Sequence, residues 1–284
     1  MRNFAEFIMQ SKMQAKLLIT FGMLLSFVPF STCFAATVAS LVMLRYGVNE
    51  WLNVTAIGCV IGLVLWTMYG STDVWILLGT AIAAYVLRMT SSWSKLLIIN
   101  LLFSAIVVAV FSSDITNTLD NFITLLVNFM QESNGIQLNV SLPQLKVLLI
   151  SMIGIVVQVA VIAVVMFARY LQAILYNPGG FGKEIRSLRL HCVFALGLMA
   201  FIIASRFIQI SAVDKVIVIS LQIPLLVAAL ALIHDLVYRQ KFSHKTLILP
   251  CVYTALLLPL TSLIFCLLAA VDSVVNMRRY AERI

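Results

Sequence analysis

Residues 147–167 run through valine, isoleucine, leucine, methionine and alanine without one charged side chain. A hydrocarbon core of about 30 Å needs about 20 consecutive apolar residues in helical form, and this run meets that length. It is apolar on every side, whereas a helix on the surface of a soluble domain shows a single apolar stripe. Further apolar runs cover 17–44, 51–69, 74–87, 95–110, 192–204, 216–236 and 246–271. Strands of a membrane barrel would alternate apolar and polar residues, and these runs do not. The chain is 62% hydrophobic and 11% charged, where a soluble domain carries roughly 25% charged residues. The sequence predicts an all-α fold, a polytopic helical membrane bundle of about 8–10 transmembrane segments.

The 284 residues read as a single membrane domain, 1–284. Within residues 1–16, Arg2, Lys12 and Lys16 stand among Phe4, Phe7, Ile8 and Met9, the pattern of an interfacial helix. The run 17–44 is either one tilted helix or two shorter ones broken near Pro29, whose ring removes a backbone donor. Its first part has the shape of a signal peptide, but cleavage would leave 36–44 too short to span, so the run is expected to stay. Residues 113–144 form the longest polar interruption, an outer loop holding Asp114, Asp120 and Glu132. Leu119, Phe122, Ile123, Leu126, Phe129 and Met130 recur there at helical spacing, as in an amphipathic helix that lies on the membrane or caps the bundle. Residues 272–284 make a basic C-terminal tail.

The formal net charge of +8 sits mainly in short connectors, where basic residues mark the cytoplasmic side. If the first run is split at Pro29, Arg45, Arg88, Lys95, the segment 168–190 and the cluster Arg239, Lys241, His244 and Lys245 all fall on one side. Asp73, the 113–144 loop, Asp214 and Lys215 fall on the other. That is the pattern of a multi-pass protein of the bacterial inner membrane with both termini cytoplasmic. A single span over 246–271 would leave the basic tail outside, so either that region is two short helices around Pro259 or an earlier run is not a full crossing. The charge is a topology signal, so membrane lipids are expected partners and nucleic acid is not.

The densest polar segment is an elbow at 168–190. A helix continues through Arg169 to about Tyr176, and Asn177-Pro178-Gly179-Gly180 stops it, because proline removes a donor and glycine tolerates positive φ. Phe181, Lys183, Glu184, Arg186 and Arg189 then restart an amphipathic turn or two. Arg169, Asn177, Pro178, Gly179, Gly180, Phe181, Glu184, Arg186 and Arg189 are candidates for docking a cytoplasmic or membrane protein partner. The segment Gly180-Phe181-Gly182-Lys183 lacks the spacing and the Ser or Thr of a phosphate loop.

Arg169-Tyr170-Leu171-Gln172, Tyr176-Asn177-Pro178-Gly179-Gly180-Phe181 and Glu184-Ile185-Arg186-Ser187-Leu188-Arg189-Leu190 resemble the most distinctive segment of the YybS-like family of bacterial integral membrane proteins. Asp272 with Arg278 and Arg279 resembles that family's C-terminal end, although the Asp-to-Arg spacing is looser here. The family is distantly similar to the substrate-binding membrane subunits of energy-coupling-factor transporters. The resemblance implies a small-molecule solute as a partner, with energy supplied by other subunits.

Amides inside apolar runs must find partners, so Asn100, Gln158 and Gln222 are candidates for interhelix links or for a solute site. Arg206, Asp214 and Lys215 suggest an outer charge cluster. Gly154, Gly197 and Ala200 are expected to let helices approach closely. His234 and Asp235 face different directions on a helix and, with Arg239 following, read as a topology anchor. The five cysteines show neither ligand spacing nor a disulfide framework and read as buried small hydrophobes. No metal, cofactor or catalytic pattern is present, so an enzyme is not expected. Two functions follow: a small-solute-binding transporter component, with an outward-opening cavity lidded by 119–130, or a membrane scaffold or assembly factor docking through the elbow.

Overall fold

The computed structural model describes residues 2–114, 125, 142–207, 212–239 and 258–280. Every regular element among them is helical: α1 (Arg2–Gln10), α2 (Lys12–Leu24), α3 (Ser31–Tyr46), α4 (Val48–Tyr69), α5 (Asp73–Thr90), α6 (Trp93–Asp114), α7 (Leu142–Tyr176), α8 (Gly180–Ser187), α9 (Cys192–Phe207), α10 (Ala212–Arg239), α11 (Leu258–Val275) and α12 (Met277–Tyr280). The chain is a multi-pass helical bundle of the kind that spans a membrane. Among the described residues five helices are long and apolar enough to cross, or six if the bent pair α8–α9 counts as one span. Ser31–Tyr46 and Ser262–Val275 are shorter apolar helices. Apart from Leu125, the amphipathic segment 119–130 and the stretch 115–141 of the outer loop lie outside the described residues, as do Lys241, His244 and Lys245.

The run 17–44 is broken. α2 ends at Leu24, and the turn before α3 is held by Val28 N–H donating to the Leu25 carbonyl at 2.8 Å and by Ser31 Oγ donating to the same carbonyl at 2.5 Å. Pro29 lies inside this turn, and Phe30 takes a positive φ of 69°. Proline disfavours helical geometry in the residue before it, which accounts for the break.

α3 is the hub of the bundle. Each residue from 35 to 44 is buried, and α2, α4, α5 and α7 all pack on it. Its run Ala35-Ala36-Thr37-Val38-Ala39-Ser40 is made of small side chains, which let neighbouring backbones come close. Asp73 at the start of α5 accepts a hydrogen bond of 2.5 Å from Thr32 Oγ1 at the start of α3, so these two helices begin at one end of the bundle.

The opposite end is basic. There the last turns of α3, α5 and α7 meet the first turns of α4 and α6. Arg45 stacks over the Tyr176 ring at 4.2 Å, and Arg88 Nη1 donates to the Met43 carbonyl at 2.9 Å. Gly47 takes a φ of +96°, and a Cβ there would sit 3.0 Å from Arg88 Nη1, so the tight α3–α4 link needs glycine on both counts. Lys12 reaches Glu50 in the first turn of α4 at 2.8 Å, which brings the start of α2 to the same end.

α7 is the longest element. At 1.5 Å per residue it measures about 50 Å, more than a hydrocarbon core of about 30 Å. Its last turns, bearing Arg169, Gln172 and Tyr176, therefore extend past the apolar zone at the basic end. Near its other end, Gly154 packs on α6, where a Cβ would lie 2.3 Å from Val108 Cγ2. Gly197 does not act this way: nothing lies within 4 Å of its Cβ position, and Ala200 is exposed too. Both lie on the outward face of α9, so the expected close approach is absent there among the described residues.

Candidate functional site

The chain turns where its residues demand it. α7 stops at Tyr176, with Asn177 N–H still bonded to the Ala173 carbonyl at 2.9 Å. Gly179 precedes α8 with a φ of +82°, a conformation that favours glycine, and no atom lies within 4 Å of its Cβ position. Asn177, Pro178 and Gly179 are exposed, while Gly180 is buried under the Asn177 amide.

The charged elbow residues are engaged internally. Arg169 forms a two-pronged ion pair with Glu184: Nε donates to Oε2 at 2.9 Å and Nη2 to Oε1, while Nη1 donates to Gln172. A planar guanidinium matches a carboxylate in this way, which fixes the angle between α7 and α8 as well as neutralising both charges. Phe181 inserts between Trp93 of α6, at 6.3 Å, and Tyr170 of α7, at 5.8 Å. Of the nine predicted docking residues, Asn177, Pro178 and Gly179 face outward. Arg169, Phe181 and Glu184 face neighbouring helices.

Arg189 and Arg278 join the elbow to the C-terminal tail. Arg189 donates from Nε to the Asp272 carbonyl at 2.9 Å and from Nη2 to the Ser273 carbonyl at 2.7 Å. These carbonyls lie in the last turn of α11, where helix geometry leaves acceptors short of donors; the Asp272 carbonyl also takes the Asn276 N–H at 3.0 Å. Arg278 returns the contact, donating to the carbonyls of Arg186 and Leu188. Asn276 turns the chain with a φ of 54°. Asp272 then accepts from Met277 N–H at 3.0 Å and sits 3.6 Å from Arg278. Burial pushes the Arg278 guanidinium down from its ordinary value, and Asp272 opposes that shift.

This cross-bracing borders an open cleft of about 410 Å³. Its walls carry Lys183, Arg186 and Arg189 from the elbow, Arg239 from the end of α10, and Arg278 and Arg279 from α12. Asp235 is the one carboxylate in the wall among the described residues, bonded to Arg239 Nε at 2.7 Å. Arg186 lies 3.7 Å over the ring of Tyr238, which holds α8 against α10. The arrangement concentrates positive charge in a concave space at the end of the bundle. It can attract and grip an anion.

The polar core residues are tied together. Asn100 Nδ2 donates to the Gln158 carbonyl at 3.0 Å, linking α6 to α7. Ser220 Oγ donates to Gln158 Oε1 at 2.7 Å, linking α10 to α7. Gln222 is buried on α10, but Ser220, not Gln222, meets Gln158. Pro224 remains inside α10 and, having no N–H, leaves the Ser220 carbonyl without its helical donor. Asn100 Oδ1 and Gln158 Nε2 are buried without partners among the described residues. Arg206 lies in the last turn of α9, and Asp214 and Lys215 lie in the first turn of α10; their side chains, and so the predicted outer cluster, fall outside the described part. No group of three or more His, Cys, Asp or Glu residues able to hold a metal occurs among the described residues.

Sequence reasoning missed the convergence of Lys183, Arg239, Arg278 and Arg279 on one cleft. A signal for part of it was present: Asp235 and Arg239 stand four apart, the spacing of a helical ion pair. The chain matches no family model, no curated protein and no solved structure.

Proposed function

We propose that this protein is a multi-pass component of a bacterial inner membrane that recognises a small anionic solute at its basic end, serving a transporter whose energy-supplying subunits are separate chains. One observation carries the reading: six cationic side chains from three distant chain segments line a single cleft. A basic surface needed only for topology would be spread over the connectors, whereas this one is concave and cross-braced. By the positive-inside rule the basic end is cytoplasmic, and so are the ends of α1 and α12. The resemblance of the elbow segments to the YybS-like family, itself distantly similar to solute-binding transporter subunits, points the same way by association. The chain itself is assigned no catalytic chemistry.

A second reading keeps the scaffold role. It rests on the tip Asn177-Pro178-Gly179, which is exposed and covered by no helix among the described residues. The two separate in one experiment: gentle purification from native membranes, followed by mass spectrometry of bound small molecules and co-purifying proteins. The solute-component reading expects a bound anionic metabolite or a stoichiometric cytoplasmic ATPase. Recovery with lipid alone, or with envelope-assembly proteins, would overturn it and put the elbow tip first.

A further inference from the structure

We propose that the anion held in the basic cleft is a phosphate group, with Arg278 at its base and Lys183 and Arg279 at its mouth; this rests on the anion-binding reading above. Helix-end chemistry accounts for only part of the charge. Arg189 and Arg278 donate to backbone carbonyls, and Arg239 has Asp235. Lys183 and Arg279 are exposed and close no such carbonyl, yet they line the same cleft. Among the described residues six cations face one carboxylate in the wall, with Asp272 behind Arg278, an excess that a single carboxylate ligand does not balance.

A second observation points to a ligand. Arg278 is 8% exposed, and its Nε is buried without a hydrogen-bond partner among the described residues. Its Nη1 and Nη2 are taken by carbonyls, so the Nε–H is the donor of this guanidinium left over; a buried donor without an acceptor is costly, and an anion oxygen would relieve that cost. Five of the six cations are arginines, which lose no charge near neutral pH, and the planar fork of Arg279, which closes no carbonyl among the described residues, suits the oxygens of a phosphate. The volume of about 410 Å³ falls in the range of about 300–1,000 Å³ usual for small-molecule sites. The cleft lies where α7 has left the apolar zone, so a lipid headgroup or a soluble phosphate compound both have access.

The test uses the full-length protein and follows its thermal unfolding at constant ionic strength. The soluble probes are inorganic phosphate, glycerol 3-phosphate and citrate, with chloride as reference. The lipid probes are nanodiscs of phosphatidylglycerol against phosphatidylcholine. Saturable stabilisation by a soluble phosphate identifies a soluble ligand; stabilisation by phosphatidylglycerol alone identifies a headgroup; either supports the proposal. The double variant Lys183→Met/Arg279→Met changes exposed side chains only and should weaken binding about five-fold per cation removed. Arg278→Lys keeps the charge but removes the Nε–H and should weaken it further. Binding of citrate without phosphate or phosphatidylglycerol would overturn the phosphate assignment and leave the anion reading standing. Binding of none of these probes, or phosphate binding unchanged in the double variant, would overturn the cleft as the site.

Discussion

Removing the Arg189 fork should loosen the C-terminal end without unfolding the bundle. In Arg189→Met the side chain keeps its apolar stem but loses two charge-assisted hydrogen bonds, to the carbonyls of Asp272 and Ser273. Such bonds contribute about 1.5–3 kcal/mol each when fully shielded. Arg189 is only half-buried, and water can take over part of the role, so the expected loss is about 2–3 kcal/mol in total. For a chain of this size that corresponds to a drop of roughly 4–12 °C in the unfolding midpoint. Tryptophan fluorescence during heating in mild detergent would report it. Hydrogen exchange should localise it, with faster exchange at the end of α11 and in α12 and little change in α3. Lys183→Met is the control: it lies on the same elbow, is exposed, and should stay within about 0.5 kcal/mol. If Arg189→Met behaved like this control and left exchange at α11 and α12 unchanged, the clamp would not be what joins elbow and tail.

Three further outcomes test the packing. In a double-mutant cycle of Arg169→Met and Glu184→Gln, the fork between side chains 28% and 29% exposed should show a coupling of about 1–2 kcal/mol, above the usual surface pair; additive losses in thermal unfolding would contradict it. Ser220→Ala leaves Gln158 Oε1 unpaired at full burial and should cost about 1–2 kcal/mol in a denaturant series, with Ser220→Thr restoring part of it. Gly154→Ala forces a methyl against Val108 and should destabilise by about 1–3 kcal/mol, whereas Gly197→Ala meets open space and should be neutral or stabilising by up to about 1 kcal/mol; equal effects from the two would contradict the packing described for α7 and α9.

Hydropathy along the chain was enough to determine a helical membrane bundle, because the lack of water in a bilayer forces each spanning segment to satisfy its own backbone hydrogen bonds. Local chemistry also determined the stop after Tyr176 and offered the break at Pro29 as one of two readings, since proline and glycine act on their own and adjacent dihedrals. The joining of elbow and tail was another matter. Arg278 reaches the carbonyls of Arg186 and Leu188 across about ninety residues, and no periodicity in either segment encodes that meeting. It follows from how α7, α10 and α11 pack, which depends on side-chain shape across several helices at once. The same holds for α3, whose small residues read as an ordinary apolar run until four neighbours close around it, and for Gln158, which finds Ser220 instead of Gln222. Sequence marked which residues were too polar for lipid; only the tertiary structure decided which of them face one another, and so where positive charge gathers into a cleft.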